Sequence, residues 1–379
     1  MIDARTTVAR GLLSLVFLGA TGPLAAEGPR RGEATQTPAE NTDPLAAELG
    51  RVAAAVRSTT STDPMWSDLK GAIQPMLEGA EKAAAGGQRL LALQRLAAAE
   101  TYLSAWTYLS QRSPKERSDT AAFEAEWARM GNVLKGHLDP AKASPQADLR
   151  PALLRALAEA AVPQVKVFYD ASLEYGRSTT PDSGLFYLGS AQAQREFADL
   201  SRRLAAAFPP AGEMPRLRSL APEIDELETT LLAAYRPPAS IDRHPEFIAA
   251  SGTLKEAREL DALGLRYGAL LRLLLAAQRI APLRAAPAKD TPSRDDLASN
   301  LQAAGESLKS GVDDSIARLF VESGLAELSA VAADAPTPKA LAALSDILPL
   351  YRAALAPRPP VPTKPAPLAV VTLIRWPYT

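Results

Sequence analysis

With 43 acidic side chains and only two histidines, the acid–base chemistry open to this chain falls mainly to carboxylates. The candidates come in groups: Glu256, Glu259 and Asp261 in one stretch, then Asp295-Asp296, then Asp313-Asp314. Converged in a cleft, such groups would serve as a paired acid and base or hold a divalent cation. They stand instead near helix starts or on exposed faces, beside Lys255, Arg258, Arg294 and Arg318. Acids in a first helical turn stabilise the helix dipole, so a capping or solvated role is expected.

His137 and His244 lie at no metal-ligand spacing, which argues against zinc. His137 follows Gly136 near a helix end, where a cation is favourable. Neither phosphate-cradling glycine loops nor a nucleophile elbow occurs. The expectation is no catalytic residue, no metal and no cofactor, with a non-enzymatic role favoured over an enzymatic one.

Binding has better candidates. Tyr169, Tyr175, Tyr187 and Tyr267 stand out in a chain with 6% aromatic residues, and Gly184-Leu185-Phe186-Tyr187-Leu188-Gly189 opens one helix. Gly264 and Gly268 let another backbone approach closely. A cleft lined by these tyrosines would take a peptide or an apolar ligand. Near the C-terminus, Trp376 and Tyr378 could fill pockets as an edge strand on a partner's sheet; the competing expectation is that the tail docks on its own helices.

The elements that would position these residues are helices. Phe123, Trp127, Met130 and Leu134 repeat at helical spacing, as do Ile224, Leu227, Leu231 and Tyr235. Longer stripes run through Leu260, Leu263, Tyr267, Leu270 and Leu274, and through Leu341, Leu344, Leu348, Tyr351 and Leu355. Arg272 falls opposite Leu270 and Leu274, where water is expected.

Asp43-Pro44, Asp63-Pro64, Ser113-Pro114, Thr291-Pro292 and Thr337-Pro338 each pair a capping residue with a proline at the first helical position. Ser113 and Glu116 form a capping box. The spacing predicts helices over Pro44–Arg57, Pro64–Ala85, Gln88–Gln111, Pro114–Leu138, Leu149–Tyr175, Gly184–Phe208, Pro222–Tyr235, Leu254–Ala281, Arg294–Lys309, Val312–Ala332 and Pro338–Leu355. Gly86-Gly87 should close a helical hairpin, and Pro75, Pro163 and Pro349 should kink or end their helices.

The expected class is all-α, an array or bundle of about eleven antiparallel helices with solenoid-like helix lengths. Met1–Ala26 reads as a secretory signal, with Arg5 and Arg10 ahead of the apolar Gly11–Leu18. Residues 27–43 read as a flexible leader, 44–208 and 209–356 as two helical regions packed as one domain or as two, and 357–379 as a proline-rich spacer with a strand-like tail. A net charge of −1 supplies no field for nucleic acid, and the absence of cysteine excludes disulfides and a lipid-attachment site. The functional expectation is an extracytoplasmic interaction or scaffold module for a protein or peptide. The alternatives are a binder of a lipid or other apolar molecule between helices, and a carboxylate enzyme.

Overall fold

A computed structural model describes residues 43–143, 146–208, 212–237, 240–284, 292–308, 311–330 and 337–356. The signal-like segment, the proline-rich spacer and the strand-like tail with Trp376 and Tyr378 lie outside the described residues, as does the leader up to Asn41. Of the described residues 81% are helical and none forms a strand. One isolated bridge joins Glu213 to Val312.

The helix starts follow from local chemistry. Helix α1 (Pro44–Ser58) is capped by Asp43, which accepts from the Leu45 N–H at 3.2 Å. Helix α2 (Pro64–Ala85) is capped by Asp63, accepting from Met65 N–H at 2.8 Å. At Gly86-Gly87 the chain turns, with Gly87 at φ +77°, and α3 (Arg89–Ser110) returns along α2. The Ser113–Glu116 capping box opens α4 (Pro114–Ser118).

The single helix expected over Pro114–Leu138 is divided, because Asp119 accepts from the N–H groups of Ala121 and Ala122 and so caps a second helix, α5 (Thr120–Leu134). Its apolar stripe is buried at Phe123, Met130 and Leu134, with Trp127 part-buried.

Two long helices follow, α6 (Ala152–Ser178) and α7 (Pro181–Ala205), packed side by side. The start of α7 lies at Thr180-Pro181, three residues before the expected Gly184, with Thr180 as its cap. After α8 (Ala221–Ala234), the helix expected over Leu254–Ala281 is two: α9 (His244–Ala262) and α10 (Arg266–Arg284). Gly264, at φ +76°, ends α9 in a left-handed turn, and the Leu265 N–H reaches back to Leu260 O at 2.9 Å. The apolar stripe spanned this turn only because leucines happen to continue the spacing beyond it.

The remaining helices are α11 (Arg294–Ser307), α12 (Ser315–Ala330), α13 (Pro338–Ala342) and α14 (Leu348–Leu355). Ser293, accepting from Asp296 N–H, caps α11 in place of the expected Thr291. Pro75 and Pro163 lie inside α2 and α6 without ending them. At Pro349 the helical run is kept by a wide π turn, Ala343–Ile347, which loosens the backbone ladder where the proline lacks an N–H.

Buried apolar side chains from both helical regions form one continuous cluster. Helix α10 lies within it, against α6, α8 and α9, and is buried on every face along Tyr267–Gln278. That burial overturns the water-facing expectation for Arg272, which is 7% exposed. Near one end, Arg117 pairs with both Asp63 and Asp182 and lies over Trp106, itself stacked on Trp66 at 5.2 Å.

Candidate functional site

Four helices, α3, α6, α7 and α10, surround a cavity in this cluster. Helix α6 presents Leu157, Ala160, Ala161 and Gln164, one face at helical spacing. The two alanines stop at Cβ and leave the space open. Gln94 enters from α3, Gln194 and Phe197 from α7, and Leu271, Arg272 and Leu275 from α10. The cavity offers about 20 Å³ to the centre of a water molecule, room for one or two waters.

Polar side chains are the unusual part of this lining. Gln94, Gln164, Gln194 and Arg272 are all at least nine-tenths buried. Gln164 Oε1, Gln194 Nε2 and Arg272 Nε have no hydrogen-bond partner. They are three of the seven such buried side-chain atoms among the described residues, so the shortfall gathers at one place. Arg272 Nε lies 3.0 Å from Glu256 Oε2, an ion pair in which the N–H does not aim at the oxygen. Leaving a buried polar atom unpaired costs about 1–3 kcal/mol, and native interiors rarely accept it.

The tyrosines do not meet at this cavity. Tyr175 stacks on Tyr187 at 4.6 Å, with Phe168 also against Tyr187. Tyr169 stacks on Trp127 at 4.9 Å and its hydroxyl donates to Trp127 O. Tyr267 stands apart at the start of α10, under the Arg155 guanidinium, with its hydroxyl donating to Pro215 O at 2.6 Å. Gly268 does permit the expected close approach: a Cβ there would stand 3.0 Å from Ala160 N. Gly264 has open space around it and serves the turn instead.

The carboxylates hold helices in place. Asp261 accepts from Ser219 Oγ and Leu220 N–H ahead of α8. Asp313 and Asp314 are buried, contrary to an exposed face. Asp313 accepts from Ala152 N–H at the start of α6, where Pro151 brings no capping side chain, and Asp314 accepts from the Tyr351 hydroxyl at 2.7 Å. Glu48 and Glu100 do converge, with Glu100 pushed up by burial and Glu48 held down chiefly by Arg51. Arg51 and Arg203 bridge both acids, through Oε1 of Glu100, whose Oε2 has no hydrogen-bond partner.

Burial, with Arg195 adding to it, lowers the His137 pKa, so the favoured cation expected at this helix end is corrected. His244 Nδ1 meets the Tyr235 hydroxyl at 2.8 Å. Among the described residues no cluster of His, Asp and Glu is arranged to hold a metal, and no helix is long and apolar enough to cross a membrane.

Glu322 on α12 receives the Leu91 N–H at the start of α3, at 2.9 Å, and burial pushes its carboxyl up to about 7 from 4.5. A raised carboxyl favours folding most below its unfolded pKa, and that contribution is lost as pH rises through the folded value. The span from 4.5 to 7 corresponds to about 3 kcal/mol. Glu322→Gln keeps an acceptor for Leu91 but has no charge to bury. It should match the parent at pH 4.5 and exceed it by up to about 3 kcal/mol at pH 8 in urea denaturation. Parallel pH–stability curves would exclude this role.

Sequence reasoning passed over Gln94, Gln164 and Gln194. The available signal was a glutamine set inside an otherwise apolar helical stripe, as in Leu157, Ala160, Ala161, Gln164. No protein-family model, curated protein or solved structure matches the chain, which leaves these residues themselves to carry a functional reading.

Proposed function

We propose that the protein is a helical ligand-binding protein that takes a small polar molecule between α3, α6, α7 and α10. The observation that carries this reading is the pair of unpartnered amide atoms, Gln164 Oε1 and Gln194 Nε2, on buried residues lining one cavity. An apolar guest would leave both atoms unsatisfied, whereas a polar one would restore their hydrogen bonds. In this reading the helices form an antiparallel array around the site, and Met1–Ala26 directs the protein out of the cytosol.

The test is a screen of polar molecules of two or three heavy atoms by thermal shift and ligand-observed NMR, a size close to that of one or two waters. Ala161→Leu fills the cavity without removing a polar group. Saturable binding by the parent and its loss in Ala161→Leu, with the fold retained by circular dichroism, is the expected result. Binding that persists unchanged in the filled variant would place the ligand elsewhere and defeat the reading.

A second reading, an interaction module for an extracytoplasmic protein or peptide, is favoured by Leu232, Ile241 and Ile248. These large apolar side chains are more than half exposed, on α8, on the turn after it and on α9.

A further inference from the structure

Three large apolar side chains stand exposed where α8 turns into α9. Leu232, Ile241 and Ile248 are 60%, 58% and 53% exposed, against 40% for Val133 and Val167, the other exposed large apolar side chains among the described residues. Two links fix how α8 and α9 run beside each other. Arg258 of α9 pairs with Asp225 and Glu228 of α8 at 2.8 and 2.7 Å, and Tyr235 stacks on Phe247 at 4.2 Å. Leu232 lies one turn beyond Glu228, between the two links, and Ile248 follows Phe247 on the facing helix. The three therefore share one corner, and an exposed apolar patch of this kind marks a place where something docks.

The chain itself supplies an occupant within reach. Helix α14 ends beside the start of α8: Arg218, two residues ahead of the α8 cap Leu220, donates to Ala353 O at 3.2 Å and to Ala356 O at 3.3 Å. Leu232 stands ~17 Å from Ala221 along α8, at ~1.5 Å per residue. Residues 357–367, six of them proline, can span up to ~34 Å at ~3.1 Å per residue, so the chain arrives with slack. Next come Leu368, Val370, Val371, Leu373, Ile374 and Trp376, an apolar run with no strand edge to join among the described residues. Charge agrees with this pairing. Between residues 221 and 262 six exposed acids outnumber three exposed bases, while residues 357–379 carry three bases and no acid.

We propose that residues 368–379 of this chain cover the α8–α9 corner, with Trp376 laid against the patch of Leu232, Ile241 and Ile248. An outside protein or peptide would then meet the patch only by displacing this segment. The covering is independent of whether the cavity between α3, α6, α7 and α10 takes a ligand.

The chain has no cysteine, so Ser251→Cys, an exposed position three residues after Ile248, accepts a bimane label at that site alone. Bimane emission is quenched on contact with tryptophan. In the labelled full chain, Trp376→Phe should restore emission, and the gain should be the same at every protein concentration. Leu232→Asp, at an exposed position that leaves the fold intact by circular dichroism, should restore emission too. Combining the two should add nothing further, because each removes the same contact.

Emission unaffected by Trp376→Phe would overturn the proposal and leave the corner open to an outside partner. Quenching by Trp376 that disappears on dilution would overturn it in favour of a second copy of the chain. Quenching that survives Leu232→Asp would place the segment off the patch, and the proposal would fall.

Discussion

Glu159→Ala is expected to lower the free energy of unfolding by about 3–5 kcal/mol, the cost of breaking a buried, hydrogen-bonded charge pair. Glu159 is fully buried in α6. One carboxylate oxygen receives the N–H groups of Tyr267 and Gly268, at 2.9 and 3.0 Å, which open α10. The other receives Arg155 Nε at 2.8 Å. Helix α10 thus takes its N-terminal cap from the middle of another helix rather than from a residue of its own.

Removing the carboxylate orphans two buried N–H groups and leaves Arg155 above the Tyr267 ring without its partner. Water cannot easily replace it, because Gly268 brings the α10 backbone against Ala160 N and Glu159 Cβ. Glu159→Gln retains one acceptor oxygen and should lose roughly half as much. Urea denaturation at an unchanged m value measures both. A loss under about 1 kcal/mol for the alanine variant would mean that solvent reaches the start of α10, and the cap would not hold the two helical regions together.

The same residue shows what the sequence makes visible. Asp43, Asp63 and Ser113 were legible as caps because each satisfies N–H groups two or three positions ahead, a relation written in local spacing. Glu159 caps a helix more than one hundred positions away, at 108 and 109 residues' separation, and local spacing carries no trace of that. Its one signal was a lone acid in an alanine- and leucine-rich stretch.

Arg272 was misplaced for a related reason. Opposing a leucine stripe means facing water only when a helix packs on one side, and α10 is enclosed on all sides. The cavity residues come from four helices whose mutual facing is a tertiary outcome. The class of the fold was therefore readable, and the composition of this polar cavity was not.

Phe123→Ala should cost about 3–5 kcal/mol, the range for emptying a buried aromatic site. The size of the loss is less informative than its pairing with two glycines. Phe123 is fully buried, and its ring occupies the slot where Gly176 of α6 meets Gly184 of α7. A Cβ at Gly176 would overlap the ring, so Gly176→Ala alone should destabilise by about 1–3 kcal/mol.

In the Phe123→Ala background that overlap is gone. The same alanine then partly fills the void and removes the entropic cost of glycine in a helix, about 0.5–1 kcal/mol. Its effect should change sign, becoming stabilising by roughly that amount, a coupling beyond additive error. Gly184→Ala provides the contrast. Its Cβ would stand 2.7 Å from the Gly176 Cα as well as against the ring, so removing Phe123 cannot rescue it. Rescue at both positions, or at neither, would show that the ring does not set the spacing of α6 and α7, the two helices that hold Gln164 and Gln194 across the cavity.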